Sequence, residues 1–457
     1  MLFKKSINEP LRLLMASAAT GRLPGAAALV ENAEHQYQAD SFPVDINEEH
    51  IVAIAKKRIE DDYAYHFMYT ALGISGVVMA FILNNVFPLF IAAVIAAFFV
   101  FRRLQIDKYV IAPKYSSNKF NHKAFHSNVS YQEAQNLVVY AGYDPFVNFG
   151  FRFNSWNLSI DITRKNSSSV DGSDDVKPVD IAVIEQYLID NLSKSGLLED
   201  DCMSLYFVQG ANIPAEIKQP GAVKPPIGLS RDMKYLFKND PDSRVRRYLW
   251  LRKRAWNNEI SLSYFVRLTR NKSDLNIEIT GVFMPPVGSA YRWVDNIPPR
   301  TFRRDVGDVG YALFWAAIMP IISTLYLYGK LHEGISNLIN DKKKVMRRNT
   351  ESNLLHDFGA PMGLRRSVAD PAIMHYFQTM DRRSSEIAWT ARILRTIIDY
   401  LDECNIDTSE LSNQRNTVLN QGIIVQNGNI NANNIVSGAN SVFTNIANKV
   451  GLKTKEA

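Results

Sequence analysis

The longest break in the usual mixing of apolar and polar residues runs from Phe67 to Phe101. It reads FMYTALGISGVVMAFIL, two asparagines, then VFPLFIAAVIAAFFVF, with no Asp, Glu, Lys, Arg or His inside it. Each apolar run is roughly 16–17 residues, or ~25 Å as α-helix, at the short end for crossing a bilayer. Two such runs around Asn84-Asn85 predict a transmembrane helical hairpin. The preceding INEEHIVAIAKKRIEDDYAYHF reads as a helix, opened at Asn47 or Glu48, that feeds directly into the first run. Lys56, Lys57 and Arg58 stand before the hairpin, Arg102, Arg103 and Lys108 after it, and the tip carries no charge. Lys and Arg concentrate on the cytoplasmic side, which places both outer ends in the cytoplasm and the asparagines across the membrane. Gly76 with Ala80, Ala92 with Ala96 and Ala93 with Ala97 repeat small residues at four-residue spacing, which lets two helices in lipid pack closely.

From 104 to 300 the pattern is that of a soluble α+β domain. NLVVYA (136–141), SWNLSIDI (155–162) and SLYFVQ (204–209) read as strands. EISLSYFVRLTR (259–270) and LNIEITGVFM (275–284) alternate apolar and polar residues about NKSD, which predicts a hairpin of strands. PVDIAVIEQYLIDNLSKSG (178–196) has helical spacing at Ile181, Ile184, Leu188 and Leu192, with Asp180 at its start and Gly196 at its stop. Segments 166–175 and 213–228 have the composition of loops.

A further uncharged stretch, 311–328, has Tyr311, Trp315, Tyr326 and Tyr328 near its ends, as an interfacial aromatic belt would. It is expected to enter the membrane, the alternative being a buried helix kinked at Pro320. Basic residues on both flanks conflict with a single crossing. A re-entrant segment broken at Pro320, or a helix lying on the membrane, would remove the conflict. Residues 370–404 predict a long helix, bent near Ser384-Ser385, with Ile387, Leu394, Ile398 and Leu401 on a packing face. The tail, 417–446, alternates short apolar runs with Asn and Gly, a composition suited to stacked strands, in a small β-solenoid or between copies of the chain. Residues 1–66 are expected to be loosely structured before the Asn47 helix, with a small amphipathic helix near the start lying on the membrane; Pro10 and Arg12 interrupt the apolar run that a cleaved signal needs.

Composition adds little to this picture. The 457 residues carry a net charge of +6 and two cysteines, Cys202 and Cys404, so no disulfide framework is implied. No phosphate-loop, dinucleotide, zinc-protease or nucleophile-elbow motif occurs. His122 and His126 are spaced like metal ligands but stand without a nearby Cys or carboxylate cluster, so no metal or other cofactor is expected. The strongest charge pattern is RVRRYLWLRKRAW (244–256), where Arg244, Arg246, Arg247, Arg252, Lys253 and Arg254 interleave with Tyr248, Trp250 and Trp256. Beside a membrane hairpin, that reads as a patch for anionic headgroups, ahead of single-stranded nucleic acid.

Two segments carry a resemblance. Gly142, Tyr143, Asp144, Pro145, Phe146, Val147, Gly150 and Trp156 form one. Leu401, Asp402, Glu403, Ile406, Asp407, Thr408, Ser409, Leu411, Asn420, Gly422, Ile423 and Val425 form the other. Together they resemble a family of bacterial multi-pass membrane proteins common in actinobacteria, from which Asn148 and Phe149 depart. The resemblance implies no reaction.

The fold expected is α+β: a membrane hairpin, a cytoplasmic mixed α/β domain, a third membrane or buried helix, a long C-terminal helix and an Asn/Gly-rich β tail. The expected role is that of a non-enzymatic, self-assembling protein of the bacterial inner membrane, of the kind that perturbs the membrane in anti-phage defence or stress. Its partners would be lipid, further copies of itself and an unidentified protein. The alternatives are a tethered enzyme or ligand-binding module around Tyr143, Asp144, Pro145, Phe146 and Trp156, and a nucleic-acid binder through 244–256.

Overall fold

Alternating apolar and polar side chains set the soluble half of the fold. The structure is a computed structural model that describes residues 8–34, 38–120, 135–165, 176–198, 202–214, 216–217, 224–230, 232–234, 244–340, 357–413 and 415. Strands β1 (Leu137–Tyr140), β2 (Phe151–Asp161), β3 (Cys202–Gln209), β4 (Val245–Ala255), β5 (Ile260–Arg270) and β6 (Asp274–Met284) form one six-stranded sheet, in the order β1-β3-β4-β5-β6-β2. β1 runs parallel to β3 and every other pairing is antiparallel. The helices are α1 (Glu9–Ala19), α2 (Ala26–Glu34), α3 (Glu48–Ile82), α4 (Phe87–Ile106), α5 (Ile181–Lys194), α6 (Phe302–Asn340), the short α7 (Leu364–Ser367) and α8 (Tyr376–Glu403).

Both faces of the sheet are covered. Leu249, Leu251, Leu262, Tyr264, Ile277 and Ile279 face α5 and α8, which contribute Ile184, Leu188, Trp389, Ile393 and Leu401. The alternate positions Tyr248, Trp250, Phe265, Val282 and Met284 face Phe42, Val44, Phe146 and Phe149. The two faces thus follow the two-residue period of the pleat. Asp180 caps α5 by accepting from the Ala182 N–H at 2.8 Å, and Gly196 ends it in the left-handed conformation. α8 is unbroken at Ser384-Ser385. Leu394, Ile398 and Leu401 are buried as expected, whereas Ile387 is half exposed and Trp389 and Thr390 take the sheet-facing positions there, against Tyr264.

The N-terminal region departs from expectation. α1 is among the most buried helices described, and Leu11, Arg12, Leu13, Leu14, Met15, Ala16 and Ser17 are all essentially inaccessible. It lies in a core with Ile46, Ile51 and Ala55 of the α3 region and Val287, Val294, Leu364 and Val368 of the sheet domain. Arg12, which interrupts the apolar pattern, is the reason it can be buried. Its guanidinium bonds Asp295 at 2.6 and 2.8 Å and the Tyr115 carbonyl at 2.6 Å, and pairs with Glu9 one turn away. Burial opposes that charge, but the two carboxylates more than offset it and hold the Arg12 pKa above its ordinary value.

Candidate membrane interface

α3 and α4 run antiparallel around the turn at Asn84-Asn85. Asn84 takes a left-handed conformation and Asn85, two residues before α4 begins, accepts from the Phe87 N–H at 2.9 Å. A Cβ on Gly76 would sit 3.0 Å from that of Ala92, so the two backbones approach as closely as a glycine permits. Ala96 and Ala97 are buried with Tyr69, Val100 and two residues of α6, Ala312 and Ala316; Ala80 and Ala93 are half buried. The α6 pair also stands at four-residue spacing, a signal present in the sequence and passed over there. α6 is helical on both sides of Pro320, and its partners reverse direction along the bundle there. The Pro320 ring lies against Gly73, where a Cβ would come within 2.7 Å of it.

Partners along α6 trace its path. Near its start, Asp308 accepts from Gln105 of α4 at 2.9 Å and from Lys108, just past the end of α4, at 2.5 Å. Pro320 meets Gly73 of α3, Ser323 then meets His66 at 2.9 Å, and Tyr326 stacks on His66 and Tyr63. From Pro320 onward the partners on α3 therefore step back toward its N-terminal half.

Three helices are long and apolar enough to cross a membrane, and only 11%, 17% and 17% of the residues in their apolar windows are buried within the protein. Phe81, Val86, Phe90 and Phe98 of the α3–α4 region and Leu313, Ile321 and Leu325 of α6 point outward. An apolar surface this extensive marks a lipid or protein contact. Its charges are confined to one end, which we call the root. There Arg58 bonds Asp107 at 2.7 and 2.8 Å, Arg103 pairs with Asp62, and Lys108 pairs with Asp308.

Below the root, buried polar contacts tie the bundle to the sheet. Glu48, at the start of α3, accepts from the Leu364 N–H at 2.7 Å and from Ser41. Asp45, just before it, accepts from Arg252 at 3.0 Å and Ser261 at 2.6 Å, and all three side chains are buried. The β4–β5 turn receives the Glu9 N–H of α1 on the Asn257 carbonyl at 3.1 Å and Arg365 of α7 on the Glu259 carbonyl at 2.8 Å. The Glu259 carboxylate accepts from Arg292 and from Gln378 of α8, each at 2.7 Å. Burial lowers the Arg365 pKa to about 10, offset in part by Asp45 and Glu259.

The basic aromatic stretch does not form a surface patch. It is β4, an interior strand, and the pleat sends its residues to opposite faces. Arg247 turns toward α5 and bonds Glu185 at 2.6 and 2.7 Å, while Tyr248 and Trp250 enter the aromatic core and Arg252 pairs with Asp45. Arg244 and Arg246 are exposed at one end of the strand; Lys253 and Arg254 are half buried at the other.

The Tyr143–Phe146 segment is a turn. Asp144 accepts from the Phe146 N–H at 3.0 Å and from Arg152 at 2.7 Å, and Pro145 is half buried beside it. Phe146 packs with Phe207, Tyr248 and Phe265, while Tyr143 is 98% exposed. Trp156 packs on the other face of the sheet, toward α5 and α8, so it does not converge with Asp144. Among the described residues, no three His, Cys, Asp or Glu side chains gather as metal ligands. His122, His126 and the 417–446 tail lie outside the described residues.

The AbeC-like domain matches the chain over residues 155–433. That span takes in Trp156, β3 to β6, α6, α8 and the Leu401–Leu411 motif, and begins after Gly150. No curated protein and no solved structure matches the chain. The matched span exceeds half of the chain, and the protein belongs to the AbeC-like domain family, a family of abortive infection.

Proposed function

We propose that this protein is a non-enzymatic, bilayer-embedded effector of an anti-phage response that acts on the bacterial inner membrane. The carrying observation is the outward-facing apolar surface of α3, α4 and α6, three packed helices whose charges are gathered at one end. α3 and α4 cross and return, with Asn84 at the far surface and the sheet domain in the cytoplasm. α6 dips into the same leaflet and comes back. Support for the dip is that chain on both sides of α6 lies on the sheet domain: Val294 packs beside α1, and Ala360 bridges to Tyr140 of β1. The intervening DKKKVMRRN (341–349) carries too much charge to pass back through lipid. The Asn/Gly-rich tail would assemble copies, so that many short hairpins perturb one patch of membrane.

Topology and action are tested together. With Cys202 and Cys404 replaced by Ser, Asn84→Cys is expected to react with an impermeant maleimide in intact spheroplasts, and Lys330→Cys and Lys114→Cys only after lysis. Labelling of Lys330→Cys from outside would show α6 crossing fully and overturn the dip. Induced wild-type protein is expected to depolarise cells, and Gly76→Leu with Ala93→Leu to remove the depolarisation at unchanged protein level. Undiminished depolarisation by that variant would sink the effector reading.

A further inference from the structure

We infer that the bundle root, rather than β4, holds the headgroup-binding surface: Arg102, Arg303 and Arg304 form a cationic collar for anionic phospholipid. The inference rests on the membrane reading above and adds the lipid class. It starts from which charges at the root are already used. Asp62 and Asp107 are engaged by Arg58 and Arg103, Asp308 by Lys108 and Gln105, and Asp305 by Arg300 at 3.0 Å. Those pairs compensate one another within the protein. Arg102 in the last turns of α4, and Arg303 and Arg304 in the first turn of α6, are exposed and form no ion pair among the described residues. Among the described residues the Arg304 guanidinium donates to the Pro299 carbonyl and meets no carboxylate, which leaves its charge uncompensated.

These arginines stand where lipid headgroups would be. Asp308 of α6 accepts from Gln105 at the end of α4 and from Lys108 in the turn that follows it (107–111), and the Arg300 guanidinium lies over the Tyr109 ring of that turn, so the start of α6 sits beside the end of α4. Phe302, adjacent to Arg303, is 82% exposed, and Val306, one turn on, is exposed with it. An outward Phe beside unpaired arginines, immediately below an apolar girdle, has the chemistry of a membrane–water boundary: the ring enters the acyl region and the guanidinium groups meet phosphate. Arginine suits this because its planar fork bonds two phosphate oxygens at once. A zwitterionic surface offers no net charge to such a collar, whereas phosphatidylglycerol does.

The test uses full-chain protein in vesicles of phosphatidylcholine with a minor fraction of phosphatidylglycerol, and reads the relative association of spin-labelled forms of the two lipids. Wild type is expected to prefer phosphatidylglycerol, with each arginine worth up to about fivefold, and the preference should shrink as salt is raised. Arg102→Gln, Arg303→Gln and Arg304→Gln combined should bring it to parity, while the three Lys replacements should keep most of it. A triple Gln variant that retains the preference, or a wild type without one, would overturn the collar. Alkaline extraction separates the two readings. Protein that resists extraction yet shows no lipid preference defeats the collar alone, and protein that alkali removes defeats both.

Discussion

The sheet domain and the helical bundle are built from similar apolar side chains and use them in opposite ways. In the sheet domain Leu249, Leu251, Phe265, Trp250 and Ile277 turn inward, and charged groups that enter the core arrive with partners. In the bundle the small residues Gly73, Gly76, Ala96, Ala97, Ala312 and Ala316 turn inward, and the large ones, Phe81, Phe90, Phe98 and Leu325, turn outward. One has the arrangement that water imposes, the other the arrangement expected of helices in lipid. With no solvent contrast to bury side chains, helices in lipid associate through close backbone approach and a few hydrogen bonds.

The largest expected effect is on the water-organised side. Asp45→Ala leaves the buried Arg252 guanidinium without its carboxylate and removes the acceptor of Ser261. Breaking a buried ion pair by deleting one partner costs about 3–5 kcal/mol, read as a fall in the unfolding midpoint by near-ultraviolet circular dichroism. Deleting the Lys108–Asp308 pair at the half-exposed root is expected to cost under ~1 kcal/mol. Equal losses at the two pairs would erase the distinction. Next is Gly73→Leu, which pushes side-chain atoms into Pro320. Overpacking of this kind costs about 1–3 kcal/mol and should loosen the bundle while the sheet domain's own transition stays in place. Transitions that shift together would show the two regions to be one cooperative unit.

A smaller effect tests the joint between them. Trp256, Asn257 and Asn258 take left-handed conformations in succession, with φ of 55°, 55° and 65°. The turn is held by Glu9 on the Asn257 carbonyl and by the Trp256 indole on Asp381 at 3.0 Å. Asn adopts this conformation at lower cost than Ala, and Gly at lower cost still. Asn257→Ala is therefore expected to be less stable than Asn257→Gly by about 1 kcal/mol, since both keep the carbonyl that α1 uses. No difference between the two would mean that the turn relaxes without cost.

What the sequence disclosed divides along the same line. Period-two alternation placed β5 and β6, short apolar runs placed β1 and β3, and an uninterrupted apolar run placed α3 and α4, each within a few residues because each pattern is local. β4 reads differently in the sequence, since six basic residues in thirteen (244–256) look like a surface until Glu185 and Asp45, distant in sequence, neutralise two of them. α1 was misread for the same reason: Asp295, which lets Arg12 be buried, lies far along the chain. Of the interface residues, Gly76, Ala92, Ala96 and Ala97 were legible from spacing, while Gly73 needed Pro320 of α6 to reveal its role.

The smallest expected effect bears most directly on which solvent the bundle occupies. Ser323 is fully buried, with its hydroxyl 2.9 Å from His66 Nδ1, and Tyr326 stacks on the same imidazole at 4.4 Å. In a water-surrounded core, Ser323→Ala would leave the imidazole nitrogen unpaired and cost about 1–3 kcal/mol. Within lipid the unfolded reference still has helices whose polar groups find other partners, and the loss averages about 0.6 kcal/mol. The expected outcome in vesicles is the smaller value, with His66→Leu in the Ser323→Ala background costing little more in hydrogen bonding. A loss of several kcal/mol would indicate that the α3–α6 seam is packed against protein and water like the sheet core, and that the outward phenylalanines of this chain await a protein partner instead of acyl chains.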